Sequence, residues 1–315
     1  MNNSVDIIIP TRGRGNLIDE TIASIRASSH HAFTLWVADQ SDDAATARAV
    51  LPHVENDARV RYLRVPPTGS SAARNIGAAA GDAPYILFTD DDCVVDPSWV
   101  TEMIRELAEP QTWAVFGRVV PDDDEAVRDS KELRGIWLAR KDSNTRQVFA
   151  GDRFNLGFGH GANMGFRRDC YVAVAGFDEL LGVGARFRSW PERDIGYRIL
   201  RRGGQIVYAP GALAHHRHWR AWDGVRRTLR NYALGTGAAV GKYVRCGDWR
   251  AAYLLFEWLL DQGVRQILSG ALKWRSPQKM QAGIIQLIYP WAGLIDSARA
   301  PVDRDLILYR KTPKP

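Results

Sequence analysis

Along the first 120 residues, short apolar or β-branched runs alternate with segments whose apolar positions recur at helical spacing. The runs are VDIIIP at 5–10, FTLWVAD at 33–39, VRYLRV at 60–65, PYILFTD at 84–90 and TWAVFGRVV at 112–120, and helical patterns fall at 17–28, 71–80 and 98–109. This alternation predicts an α/β fold built on a mostly parallel sheet. Ligands of such sheets bind beyond the carboxyl ends of the strands. The polar residues that follow three of the runs, at 11–14, 39–42 and 90–92, are therefore expected to face one crevice.

Further along, the pattern changes twice. Residues 121–155 lose periodicity, are rich in charge, and read as an excursion with at most one helix. GFGHGANMGFRRD at 157–169 carries glycines suited to close backbone approach. Then Pro191 stands where a helix would begin, Glu192 and Asp194 fall in its first turn, and Gly203 and Gly204 stop it after a basic last turn. A strand is expected at 205–209, and long helical patterns dense in Trp, Leu and Arg fill 221–298. The organisation expected is a domain over 1–220, with halves 1–120 and 121–220, followed by a helical region over 221–315.

Composition changes the picture only when charge is divided along the chain. With 45% apolar and 25% charged residues, the 315-residue chain is an ordinary globular one. Its net charge of +6 is uneven: residues 1–210 hold 25 Lys+Arg against 29 Asp+Glu, residues 211–315 hold 17 against 7. An anionic partner would be drawn to the C-terminal third. No nucleic-acid-binding motif occurs, so nucleic acid is not expected. Helices with Trp and Arg at their faces suit either a subdomain packed on the core or a peripheral contact with an acidic membrane. Cys93, Cys170 and Cys246 lie far apart in no metal-ligand spacing, which fits a reducing cytoplasm. No leader pattern precedes the first run and no run reaches the ~18 apolar residues of a membrane span. A cytoplasmic location, or one at the inner face of the membrane, is expected.

The chemistry concentrates at the strand ends. Asp90, Asp91 and Asp92 crowd three carboxylates where a buried run stops, a costly arrangement unless positive charge offsets it. Asp90 and Asp92 form a D-x-D spacing suited to a hard cation such as Mg²⁺ or Mn²⁺, which takes one or two carboxylates and keeps positions for water and phosphate. The alternative is an acidic loop before the helix entrance at Asp96, Pro97 and Ser98. Asp39 can accept from a base ring N–H or form a turn that ends its strand. Arg74, early in a helix, can reach phosphate or pair with Asp82 or another neighbour. Glu192 and Asp194 suit a helix N-terminus electrostatically, and either suits a general base. Of His215, His216 and His218, one as a third metal ligand is reasonable; the cluster as a zinc site is not.

Taken in order, IIIPTRGR, VADQSDD, ARNIGAAAGDAPYILFTDDD, GANMGFRRD, GFDELLGVGARF and ERDIGYRILRRGG resemble the family 2 glycosyltransferases over residues 4–220. The resemblance implies a GT-A fold, with a Rossmann-like mostly parallel sheet and a C-terminal helical subdomain, in which 1–120 binds the nucleotide sugar and 121–220 the acceptor. It implies inverting transfer from a nucleoside diphosphate sugar to an acceptor hydroxyl, with Mn²⁺ or Mg²⁺ as cofactor. By the same likeness Pro10, Thr11 and Arg12 line the base pocket, Asp39 reads the base, Asp90 and Asp91 hold the donor, and Asp92 holds the metal. Arg74 would lie near the diphosphate, Gly161, Ala162 and Asn163 on the acceptor side, and His216 where relatives often carry a histidine. The family usually shows Glu-Asp, one residue, then Asp-Leu; here Pro191 and Glu192 stand at the first pair and Asp194 and Ile195 at the second. Glu192 is then the expected base, with Asp194 in reserve.

Two other functions are open at this stage. A nucleotidyltransferase also joins an α/β sheet to paired carboxylates, but PTRGRGN lacks that class's glycine-rich run and lysine. A nucleotide-sugar or membrane-binding protein without catalysis is the other.

Overall fold

The computed structural model describes residues 3–122, 136, 138, 140–217 and 221–311. The chain divides into two compact units: Met1–Asp122, Ala139–Phe177 and Ile195–Arg217 form the first, Asp123–Leu138, Asp178–Asp194 and His218–Pro315 the second. The 178–194 segment thus belongs with the C-terminal helices.

The first unit is built on a nine-stranded sheet. Strands β1 (Val5–Thr11), β2 (Phe33–Asp39), β3 (Val60–Arg64) and β4 (Tyr85–Thr89) are mutually parallel, with β1 between β2 and β4 and β3 outside β2. Every residue of β1 is buried because both sheet faces are covered, which is why its sequence reads as a continuous apolar run. Ile7 and Ile9 join a core with Ile22 and Ile25 of α1 (Ile18–Arg26) and with Val100, Met103 and Leu107 of α4 (Trp99–Leu107). Ile8, on the opposite face, meets Gly77 of α3 (Ser70–Ala80), where an added Cβ would fall 2.6 Å from the Ile8 side chain. The alanines of α3 serve the same close packing. The polar helix α2 (Ala45–Asn56), with Pro52 inside it, was not signalled by periodicity.

Parallel pairing ends at β4. Short strand β5 (Cys93–Val95), β6 (Thr112–Asp122), β7 (Gln147–Phe149), β8 (Asn163–Arg167) and β9 (Gln205–Arg217) complete the sheet in the order β3-β2-β1-β4-β8-β6-β9-β5, with β7 also on β9. β8 is antiparallel to both β4 and β6, while β6 runs parallel to β9. β9 extends to Arg217, well past the five residues its apolar run predicts, because its outer half pairs with β5 and β6. The short helix α5 (Arg168–Ala173) follows β8, and α6 (Pro191–Arg201) begins at Pro191 as its start signals predict. The charged excursion at 121–155 lies largely outside the described residues.

In the second unit, α7 (Trp222–Arg245) lies against α10 (Pro277–Ser297). Gly237 and Gly241 face Pro290 and Ser297, and Gly293 faces the Leu234 carbonyl, so a side chain at any of the three would force the helices apart. Between them runs a helical stretch of α8 (Ala252–Trp258), a π segment (Leu259–Val264), α9 (Arg265–Ser269) and a second π segment (Gly270–Trp274). Among the described residues no helix is long and apolar enough to cross a membrane. All three cysteines are buried and free.

Candidate functional site

The parallel register sets Thr11, last residue of β1, beside Asp39, last residue of β2. The Gln40 amide donates to the Thr11 carbonyl at 2.9 Å, fixing the two strand ends together. Asp39 is fully buried. Its Oδ1 accepts from the amide of Ser41 at 2.8 Å and from the Ser41 hydroxyl, closing the turn that ends the strand. Its Oδ2 accepts from the Tyr62 hydroxyl at 2.7 Å and meets Arg64 at 3.4 Å, while burial and the adjacent carboxylate push the Tyr62 hydroxyl pKa up. Pro10 is buried in register with Ala38. Arg12 turns outward to Asp42 at 2.9 Å, an ion pair with both partners exposed, worth little in stability.

At the end of β4, Asp91 and Asp92 are buried and Asp90 is half-buried. The chain supplies its own counter-charge here. Arg74 Nη2 donates to Asp90 Oδ1 at 2.7 Å, and Arg14 Nη1 bridges Asp91 Oδ1 and Asp92 Oδ2, each at 2.7 Å. Two guanidiniums therefore offset part of the repulsion among the three aspartates. Burial still pushes the Asp91 carboxyl up to about 6, with Arg14 opposing and Asp92 adding to the rise. Burial alone would lower the Arg14 pKa, but Asp91 and Asp92 outweigh it and the net shift is upward. Arg14 was not among the expected site residues, although it stands in the same strand-end group as Thr11 and Arg12.

Strand β9 closes the other side. Its register places His216 beside Cys93, and the Arg217 amide donates to the Asp92 carbonyl at 3.0 Å. His216 Nε2 consequently lies 3.5 Å from Asp92 Oδ1, with both side chains buried. Cys93 Sγ completes a group of three, but a thiol is a soft ligand that hard cations such as Mn²⁺ or Mg²⁺ take less readily than oxygen or imidazole nitrogen. What remains is one carboxylate oxygen and one imidazole nitrogen. That donor set fits Mn²⁺ or Mg²⁺ with coordination positions left for water or phosphate, and lacks the four ligands of a structural zinc site. Arg74 is buried, and its Nε has no hydrogen-bond partner among the described residues. His215 alternates to the other side of β9, and His218 lies outside the described residues.

The remaining candidates divide between fold and surface. Asn163 is fully buried, and its amide donates to the carbonyls of Arg118 at 2.9 Å and Ala212 at 2.8 Å while accepting from Trp99 Nε1 at 2.7 Å. It thereby ties β8 to β6, β9 and α4. The Ala162 carbonyl accepts from the Thr89 hydroxyl at 2.9 Å, and Gly161 is half-buried beside it.

In the second unit Glu192 is half-buried, whereas Asp194 is wholly enclosed. Lys242 Nζ lies 2.6 Å from Asp194 Oδ1 and 2.6 Å from Asp178 Oδ2, all three side chains being fully buried. The Tyr243 hydroxyl adds a bond to Asp194 at 3.1 Å, and the Tyr309 amide one to Asp178 at 2.8 Å. Lys242 was not singled out in the sequence, and nothing in a helix rich in Gly and Ala marks it.

Residues 6–173 match the profile of glycosyl transferase family 2. The chain is 24% identical to a glucosyl-dolichyl phosphate glucuronosyltransferase of Haloferax volcanii, covering 69% of each chain. It is 23% identical to a pre-mycofactocin glycosyltransferase of Mycobacterium tuberculosis over 82% of this chain, and spans about half (53%) of that relative. Among solved structures, a mannosyltransferase of Pyrobaculum calidifontis in complex with GDP-Man and Mn²⁺ superposes with a TM-score of 0.63 at 16% identity, covering 93% of this chain and 86% of the other. TarS of S. aureus in complex with UDP-GlcNAc superposes with a TM-score of 0.51 at 13% identity over 74% of this chain and 66% of the other.

Proposed function

The chain belongs to glycosyl transferase family 2 and is a glycosyltransferase of GT-A fold; from that premise we propose that it transfers a sugar, with inversion, from a nucleoside diphosphate sugar to an acceptor hydroxyl. The observation that carries the metal-dependent form of this reading is the convergence of Asp92 and His216 at 3.5 Å, from residues 124 positions apart, at the end of the parallel strands. Those two side chains would hold the dication. Bound there, it would supply positive charge to the departing diphosphate.

The chain's own residues account for the rest. Thr11 and Asp39 form the floor against which a nucleoside base would sit, and Tyr62 and the Ser41 turn hold the Asp39 carboxylate in one orientation. Asp90, half-exposed and steadied by Arg74, would accept from ribose hydroxyls. Arg74 has an N–H to spare for a phosphate oxygen. Arg14, which bridges Asp91 and Asp92, would add a further positive charge toward the same diphosphate.

Glu192 takes the acceptor proton in this account. Asp194 cannot serve as readily, because Lys242 and Tyr243 already engage its Oδ1 inside a closed network. Inversion would follow from a single displacement in which the acceptor hydroxyl loses its proton to this carboxylate as it attacks the anomeric carbon. The named relatives are a glucosyl-dolichyl phosphate glucuronosyltransferase and a pre-mycofactocin glycosyltransferase, so the acceptor is proposed only as a hydroxyl-bearing molecule.

Titration calorimetry tests the donor site. UDP or GDP should bind more tightly with Mn²⁺ than with chelator, and Asp92→Asn should lose that difference while unfolding at the wild-type temperature. Equal binding in the two proteins would remove Asp92 from the site.

A further inference from the structure

The second unit carries an apolar face that the reaction does not use. The run from Ala252 to Trp274 turns at Arg275, whose φ of +45° reverses the chain, and returns as α10. The two arms are close: a Cβ on Gly283 would lie 2.7 Å from the Gly263 carbonyl, and one on Gly270 2.9 Å from Met280. Along the outgoing arm and its entrance, Trp249, Tyr253, Phe256, Leu260, Leu268 and Leu272 recur at intervals of three, four or eight residues, and all are exposed. On α10, Ile284, Ile288, Trp291 and Ile295 do the same.

On α10, at roughly 100° per residue, the stripe lies about a quarter-turn from Gly283 and Leu287, which meet the other arm. The face is large. Trp249 at 75%, Phe256 at 58%, Tyr253 at 54% and Trp291 at 48% exposure leave on the order of 500 Å² open, if each ring system contributes about 200 Å². That total is of the size of the largest apolar patch on a typical monomer, and Leu272 near the hairpin tip is exposed to 79%.

Charge indicates the occupant. Lys273 and Arg275 are exposed at that tip, and the ammonium groups of Lys273 and Lys279 lie 5.4 and 5.6 Å from the Trp274 ring centre. Arg250 is exposed along the same arm, whereas Arg265 pairs with the exposed Asp261 at 3.2 Å. A second copy would bring the same cations to the same rim, whereas lipid phosphates complement them. We propose that this face seats the second unit on an anionic bilayer surface, with the apolar side chains in the interfacial layer and Lys273 and Arg275 against lipid phosphates. The inference stands apart from the proposed reaction, and its probe is lipid alone.

The test floats the full chain with vesicles of phosphatidylcholine and phosphatidylglycerol, and with phosphatidylcholine alone. The wild type should rise with the anionic vesicles. Leu272→Glu with Ile288→Glu, both at exposed positions, should unfold at the wild-type temperature and bind the vesicles at least about tenfold more weakly. Val172→Glu, at an exposed apolar position of the first unit, should bind like the wild type. Lys273→Gln with Arg275→Gln should weaken binding to anionic vesicles on the order of tenfold and leave binding to neutral ones alone. Failure of the wild type to float with anionic vesicles overturns the proposal, as does undiminished binding by the Leu272/Ile288 variant. So does a wild-type dimer in sedimentation velocity that this variant dissociates, which would assign the face to a second copy.

Discussion

Replacing Lys242 with methionine should destabilise the protein sharply. Its ammonium touches Asp178 and Asp194 at 2.6 Å each, inside a region where all three side chains are fully buried. Lys242→Met keeps most of the side-chain volume, so the loss would be electrostatic rather than one of packing. The bonds from the Tyr309 amide to Asp178 and from the Tyr243 hydroxyl to Asp194 would survive, but each carboxylate would lose the ammonium it touches. Removing one partner of a buried ion pair costs about 3–5 kcal/mol, and at about 2–4 °C per kcal/mol the midpoint should fall by about 6–20 °C. Circular dichroism melts at pH 7 measure the fall. A midpoint within about 2 °C of wild type would refute the reading of this triad as a closed structural network and reopen Asp194 as the base.

Three further outcomes are expected. Glu192→Gln should melt like the wild type and bind a nucleoside diphosphate with Mn²⁺ as before, yet lose transfer by about 10²–10⁴-fold; parallel loss of binding in calorimetry would make the residue structural. Arg14→Met, by removing the cation that bridges Asp91 and Asp92, should enlarge the rise in melting temperature produced by Mn²⁺ alone, and a rise no larger than that of wild type would show that Arg14 does not compete for the site. The Arg59 guanidinium holds the Asp57 carboxyl well below the usual carboxylate range, with Arg26 assisting. That depressed pKa contributes stability present above about pH 4 and lost as pH falls below it, so melts of wild type and Asp57→Asn should differ at pH 7 and converge in acid; a constant difference would contradict the ion pair's role.

Much of the architecture was written in local pattern. The runs at β1, β2 and β4 are apolar without a break because both sheet faces are covered, and the Pro191 start of α6 follows from its cap chemistry. The polar strand ends at Thr11, Asp39 and Asp90–Asp92 meet because parallel strands share a direction. What escaped depended on long-range pairing. β8 and the outer half of β9 gain their partners from strands far away in the chain, and α2, which buries only Thr46 and Val50 and carries Pro52 inside it, shows no clear apolar face. The site followed the same division. Asp92 with His216 was reachable by resemblance, but Arg14 gives no periodic or motif signal for its bridge to Asp91 and Asp92. Lys242 was hidden for a related reason: a lysine in a helix ordinarily reads as a solvated surface residue, and only tertiary packing encloses this one.

The central claim, that Asp92 and His216 serve metal-dependent transfer from a nucleoside diphosphate sugar, is tested most directly by following nucleoside diphosphate release from a panel of UDP- and GDP-sugars, with Mn²⁺ and with chelator, in wild type and Asp92→Asn. At least one donor should be turned over by the wild type with Mn²⁺, and that turnover should vanish with chelator and in the variant. Turnover that persists undiminished under chelation, or in Asp92→Asn, would contradict it.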